Sequence, residues 1–93
     1  MRFVLTPDFE RAFKKLNPKQ KKDTQKAIGL LDDNPQAKSL RFRRLQGSAD
    51  CWIANINKGD RIILAQIGPD EYELADVGAH DATYRKWNRK RGQ

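Results

Sequence analysis

Residues 51–77 read CWIANINKGDRIILAQIGPDEYELADV, and the fold turns on this stretch. Cys51 to Ile56 is short and apolar, with Trp52, Ala54 and Ile56 alternating onto one face of a strand. Asn57-Lys58-Gly59-Asp60 carries the residue types of a hairpin turn. Arg61 to Ile67 supplies a second strand, Gly68-Pro69-Asp70 another turn, and Tyr72 to Val77 a third strand. Three strands joined by tight turns predict an antiparallel meander that Gly78 ends. Beyond it, residues 80–91 predict a short C-terminal helix.

Toward the N-terminus the period changes. Arg2 to Leu5 reads as a short strand, and Thr6-Pro7 as a helix start with Thr at the N-cap and Pro at the first helical position. Phe9, Ala12, Phe13 and Leu16 form one apolar stripe. Asp8 and Glu10 open that helix and Lys14 and Lys15 close it, in accord with its dipole. Asn17-Pro18 repeats the start signal for a second helix to about Asp33, which buries Ala27, Ile28 and Leu31 before Asn34-Pro35 ends it. So short a link predicts an antiparallel helical hairpin. To bury its stripes the hairpin must cover one face of the sheet, leaving the other open. Its rims would be the basic segment 38–44 and the C-terminal tail. The expected class is α+β, in one domain over residues 1–93.

Composition narrows the function. The 93 residues carry 19 Lys and Arg against 12 Asp and Glu, a net charge of +7. Residues 1–47 hold 12 of the basic and 5 of the acidic residues, and five of the seven remaining basic ones crowd the end at Arg85, Lys86, Arg89, Lys90 and Arg91. Such a domain attracts polyanions, whether nucleic acid, acidic protein or anionic membrane, though solvated lysines alone give the same balance. No apolar run approaches the roughly 18 residues of a membrane span, and no signal-peptide layout is present, so a cytoplasmic location is expected. The single cysteine, Cys51, cannot form an internal disulfide. With one histidine beside it, no metal site and no cofactor are expected.

The order of elements and several short pieces resemble the RelE/ParE toxin family. These are Phe9 to Leu16 before Asn17-Pro18, then Asn34-Pro35, Leu45-Gln46-Gly47 and Trp52 to Asn57. Gly59-Asp60-Arg61-Ile62 and Val77 to Tyr84 complete the set. The resemblance spans nearly the whole chain and implies a RelE-like fold: an N-terminal strand, an α-helical hairpin packed on an antiparallel β-sheet, and a short C-terminal helix. It implies two activities, since RelE-like members cleave messenger RNA, often on the ribosome, while ParE-like members inhibit DNA gyrase. A relative that only binds its antitoxin is a third reading. In each case the implied partner is an acidic cognate antitoxin, with messenger and ribosomal RNA for the nuclease and operator DNA reached only through the antitoxin.

Cleaving RNA without metal requires proton transfer at the 2′-hydroxyl and 5′-oxygen and stabilisation of charge on phosphorus. His80 is the only side chain whose ordinary pKa lies near neutrality; it is a proton carrier or a helix-start residue. Arg61 stands where the resemblance implies a phosphate-binding arginine, whose fork can grip two oxygens, and is otherwise a surface residue opening a strand. Tyr84, one helical turn beyond His80, could stack on a base or pack on the sheet edge. Lys38, Arg41, Arg43 and Arg44, with Phe42 among them, resemble a phosphate-tracking segment or a solvated face; Lys58 and Arg85 would extend RNA contact. Trp52 reads as core, and Trp87 as a base platform or a tail anchor. Some ribosome-dependent relatives carry two lysines where this chain has Ile53 and Asn55, so His80 would bear more of the proton transfer.

Overall fold

Thr6 and Asn17 fix where the helices begin. In the computed structural model, which describes residues 1–48, 50–80 and 82–83, Thr6 Oγ1 accepts from the Phe9 amide (3.1 Å) and donates to the Leu74 carbonyl (2.7 Å). The cap that starts α1 (Pro7–Lys14) therefore also pins it to the sheet. Asn17 and Gln20 form a reciprocal capping box at the head of α2 (Pro18–Asp33), which satisfies two orphan helix-end donors at once.

Five strands make one sheet: β1 (Arg2–Leu5), β2 (Arg43–Arg44), β3 (Cys51–Asn55), β4 (Asp60–Gly68) and β5 (Glu71–Ala79). Their order is β1-β5-β4-β3-β2. The antiparallel meander read from residues 51–77 is β3-β4-β5. The sheet as a whole is mixed, because β1 pairs parallel with β5. Two arginines from the basic segment form the far edge as β2. Charged residues on a two-residue edge strand discourage pairing with another chain.

Gly78 does not end the third strand. It stays in the ladder opposite Arg61, and β5 runs to Ala79. A Cβ at Gly78 would sit 3.1 Å from Thr83 Oγ1, so glycine permits the turn beyond the strand to fold back closely. His80, Ala82 and Thr83 begin a helical turn; the remainder of the expected C-terminal helix lies outside the described residues.

The sheet buries apolar residues on both faces. On one, Ala54, Ile62, Leu64, Tyr72, Leu74 and Val77 meet Phe9, Ala27 and Leu31 of the helices, as the stripes required. Trp52 joins this side and stacks on Phe42 with ring centroids 4.8 Å apart. The opposite face is not the open surface expected. Leu45, Ile53 and Ile63 form a second cluster there, each at most 1% exposed. Toward the β3–β4 turn, Asn55 and Arg61 are half-buried.

Candidate active site at the β3–β4 turn

Strand register brings the two principal candidates to one end of the sheet. Arg61 pairs with Gly78, and one step further the His80 amide donates to the Gly59 carbonyl (2.7 Å). The backbones of His80 and Arg61 therefore lie at the same end of the β4–β5 pair. His80 is half-buried.

The Arg61 guanidinium is held from below. Its Nη1 donates to the carbonyls of Asn57 (2.7 Å) and Asp60 (2.8 Å), and its Nε is buried with no hydrogen-bond partner among the described residues. Burial lowers its pKa; the nearby Arg41 charge lowers it further, and Asp60 partly opposes both. A half-buried guanidinium beside a second cation is an arrangement electrostatically suited to an anion.

The basic segment divides between the two faces. Arg43, opposite Ile53, shares the face of Arg61, and its Nη1 donates to Asn55 Oδ1 (3.2 Å) and to the Arg41 carbonyl. Asn55 in turn pairs with Arg61. Arg41 has a left-handed backbone (φ 42°), unusual for a residue with a side chain. Arg41, Arg43, Asn55 and Arg61 therefore converge, with exposed Lys58 in the adjoining turn. Arg44 does not belong to this group: it points to the helical side, 5.3 Å from the Trp52 ring centroid. Phe42 packs with Trp52 and Tyr72, so it is not a free base platform. Lys38 is exposed in a 3₁₀ turn (Lys38–Leu40). Tyr84, Arg85 and Trp87 lie outside the described residues.

Recesses of about 410 and 350 Å³ flank the site, one between α1 and the end of β5, one between α2 and the β3–β4 turn. Neither Arg61 nor His80 lines them. Among the described residues no group of three His, Cys, Asp or Glu side chains could hold a metal.

The sequence reading passed over the supports of the turn. Asp23 on α2 accepts from Lys19 Nζ (2.9 Å) and Asn57 Nδ2 (3.1 Å). These two hydrogen bonds hold its carboxyl below the ordinary aspartate value of 3.8. A carboxyl depressed in the folded state contributes stability that is present above its unfolded pKa and is lost as pH falls through the folded one. Asp23→Asn is therefore expected to flatten the acid limb of the stability profile below about pH 4. Urea unfolding between pH 2 and 6 measures it, and a limb identical to the parent's contradicts the assignment.

No protein-family model matches the sequence, and no curated protein matches it. Solved structures do match. YafQ from E. coli strain BL21(DE3) aligns with a TM-score of 0.71 over 89% of this chain and 98% of its own, at 17% identity. The YoeB/ParE toxin from Agrobacterium tumefaciens gives 0.69 over 86% and 99%, at 18% identity. A chain of the RelB–RelE antitoxin–toxin complex from Methanococcus jannaschii gives 0.70 over 90% and 98%, at 12% identity. The chain therefore shares its fold with these toxin structures. The alignments take in nearly the whole length of those chains and 86–90% of this one.

Proposed function

We propose that this protein is the toxin of a type II toxin–antitoxin pair, a metal-independent endoribonuclease that cleaves messenger RNA on the ribosome. The observation that supports the reading is the β4–β5 register: Arg61 lies opposite Gly78 and the His80 amide bonds the Gly59 carbonyl, so both residues stand at one end of the sheet. Arg41 and Arg43 on the Arg61 side of the site favour a polyanion.

In the reaction the 2′-oxygen bonds to phosphorus as the bond from phosphorus to the 5′-oxygen breaks. Arg61 stabilises the charge gathering on the non-bridging oxygens. Attack and departure are in line, so one imidazole serves one end. His80 as imidazolium gives its proton to the departing 5′-oxygen, and the 2′-hydroxyl proton passes to water. The products are a 2′,3′-cyclic phosphate and a 5′-hydroxyl. The proposed partner is an acidic antitoxin, which a charge of +7 attracts quickly and in a salt-sensitive manner. Operator DNA would be reached only through that partner.

His80→Ala is expected to retain the fold by circular dichroism, relieve growth arrest, and slow cleavage of messenger RNA on purified ribosomes by about 10²–10⁴-fold. A variant that still cuts at the parental rate moves the chemistry elsewhere. If the parent chain leaves RNA intact and instead traps gyrase on DNA, the nuclease reading falls.

A further inference from the structure

Both proposed catalytic groups hang from carbonyls of one turn: Asn57 for the Arg61 guanidinium, Gly59 for the His80 amide. That turn is tied by a single side chain. Asn57 Oδ1 accepts from the amides of Gly59 (2.9 Å) and Asp60 (2.8 Å), closing the turn from inside. Asn57 Nδ2 donates to Asp60 Oδ2 (2.9 Å) and Asp23 Oδ2 (3.1 Å). The anchors are themselves fixed. Asp60 is 7% exposed and its Oδ1 accepts from Gln20 Nε2 (3.0 Å), the residue that completes the capping box of α2. Asp23 is held by Lys19 one helical turn away.

We propose that Asn57 is the positioning residue of the site: α2 and β4 grip its amide, and through it the turn presents Arg61 and His80 to one phosphodiester. This rests on the nuclease reading for its kinetic consequences, though not for its structural ones. Only asparagine supplies the two acceptor bonds and two donor bonds at this length. Aspartate keeps the acceptors, loses the donors, and sets a third carboxylate between Asp23 and Asp60. Alanine loses all four bonds.

The test uses the full chain, purified ribosomes programmed with a defined messenger RNA, and hydrogen exchange at the His80 amide. Asn57→Ala is expected to lower single-turnover kcat by about a hundredfold, the scale of an ångström of misplacement, with KM little changed. Protection of the His80 amide should be lost. Asn57→Asp should be similarly slow at neutral pH. Its rate relative to the parent should climb as pH falls, because the protonated carboxyl regains a donor. The charged groups around that carboxyl are Lys19, Asp23 and Lys26 from α2 and Asp60 and Arg61 from β4. Dividing by the parental profile removes their shared titrations.

Parental kcat in Asn57→Ala, or a flat ratio for Asn57→Asp, overturns the proposal while leaving the nuclease reading intact. If the parent itself cuts no RNA, that reading fails, and His80 amide protection still decides the role of Asn57. Should Asn57→Ala not fold, Asn57→Asp, which keeps the turn's acceptor, carries the test.

Discussion

Arg61→Ala is expected to slow RNA cleavage by about 10²–10³-fold, the cost of removing one preorganised donor from a transition-state anion site. Stability should change little. The two carbonyl bonds made by Nη1 are worth about 1 kcal/mol each, and their loss is offset by relief of the Arg41 repulsion and by return of a desolvated charge to water. Arg61→Lys separates charge from geometry. An ammonium keeps the charge but cannot bond the carbonyls of Asn57 and Asp60 while presenting two further donors to a phosphate. Its rate should stay close to that of Arg61→Ala. Single-turnover cleavage with each variant measures the difference, and a lysine variant at the parental rate contradicts the assigned fork.

The second large effect concerns Ile53→Lys, which installs the residue that some ribosome-dependent relatives are implied to carry. Ile53 is 1% exposed and packs with Leu45 and Ile63, so no lysine here reaches a ribose without rebuilding the second cluster. The substitution forfeits the burial of one isoleucine, about 1.5–3 kcal/mol, and adds the desolvation of an ammonium. A loss of at least about 3 kcal/mol in urea unfolding is expected, a large part of the roughly 5–15 kcal/mol of a small domain. Cleavage should not rise in the folded fraction. A stable variant with faster cleavage would mean that the cluster opens and that the lysine route is available to this scaffold.

The sequence was most informative where neighbours in the chain decide the outcome. Thr6-Pro7 and Asn17-Pro18 are local capping signals, and both helices start where those residues dictate. The alternation of Trp52 and Ala54 likewise gave the helix-facing side of β3. Long-range pairing was not legible. The partner of β1 is some seventy residues away, and nothing in Arg2 to Leu5 specifies a parallel β5. Gly78 was read as a breaker because glycine is rare in strand interiors, yet Thr83 needs the missing Cβ. In the basic segment, period two separates Arg43 from Arg44, and that separation became visible only once β2 was recognised as a strand. His80 could be chosen by chemical type, and Arg61 by the family resemblance. Asn57 could not, because an Asn-Lys-Gly-Asp turn is equally good turn chemistry whether or not anything hangs from it, although its Asx geometry was open to anticipation.

Pairing of the first strand with the last also orders events during synthesis. Arg2 to Leu5 cannot find Glu71 to Leu74 until the ribosome has made nearly all of the described chain. The parts proposed to act on RNA, at 41–43, 55–61 and 78–80, are likewise joined only when β5 docks on β4. A topology with its closing contacts this late folds slowly and after translation rather than along with it. On the nuclease reading, the growing polypeptide would lack its RNA-cutting site until β5 has emerged and docked, which would leave an interval for the proposed antitoxin to engage it.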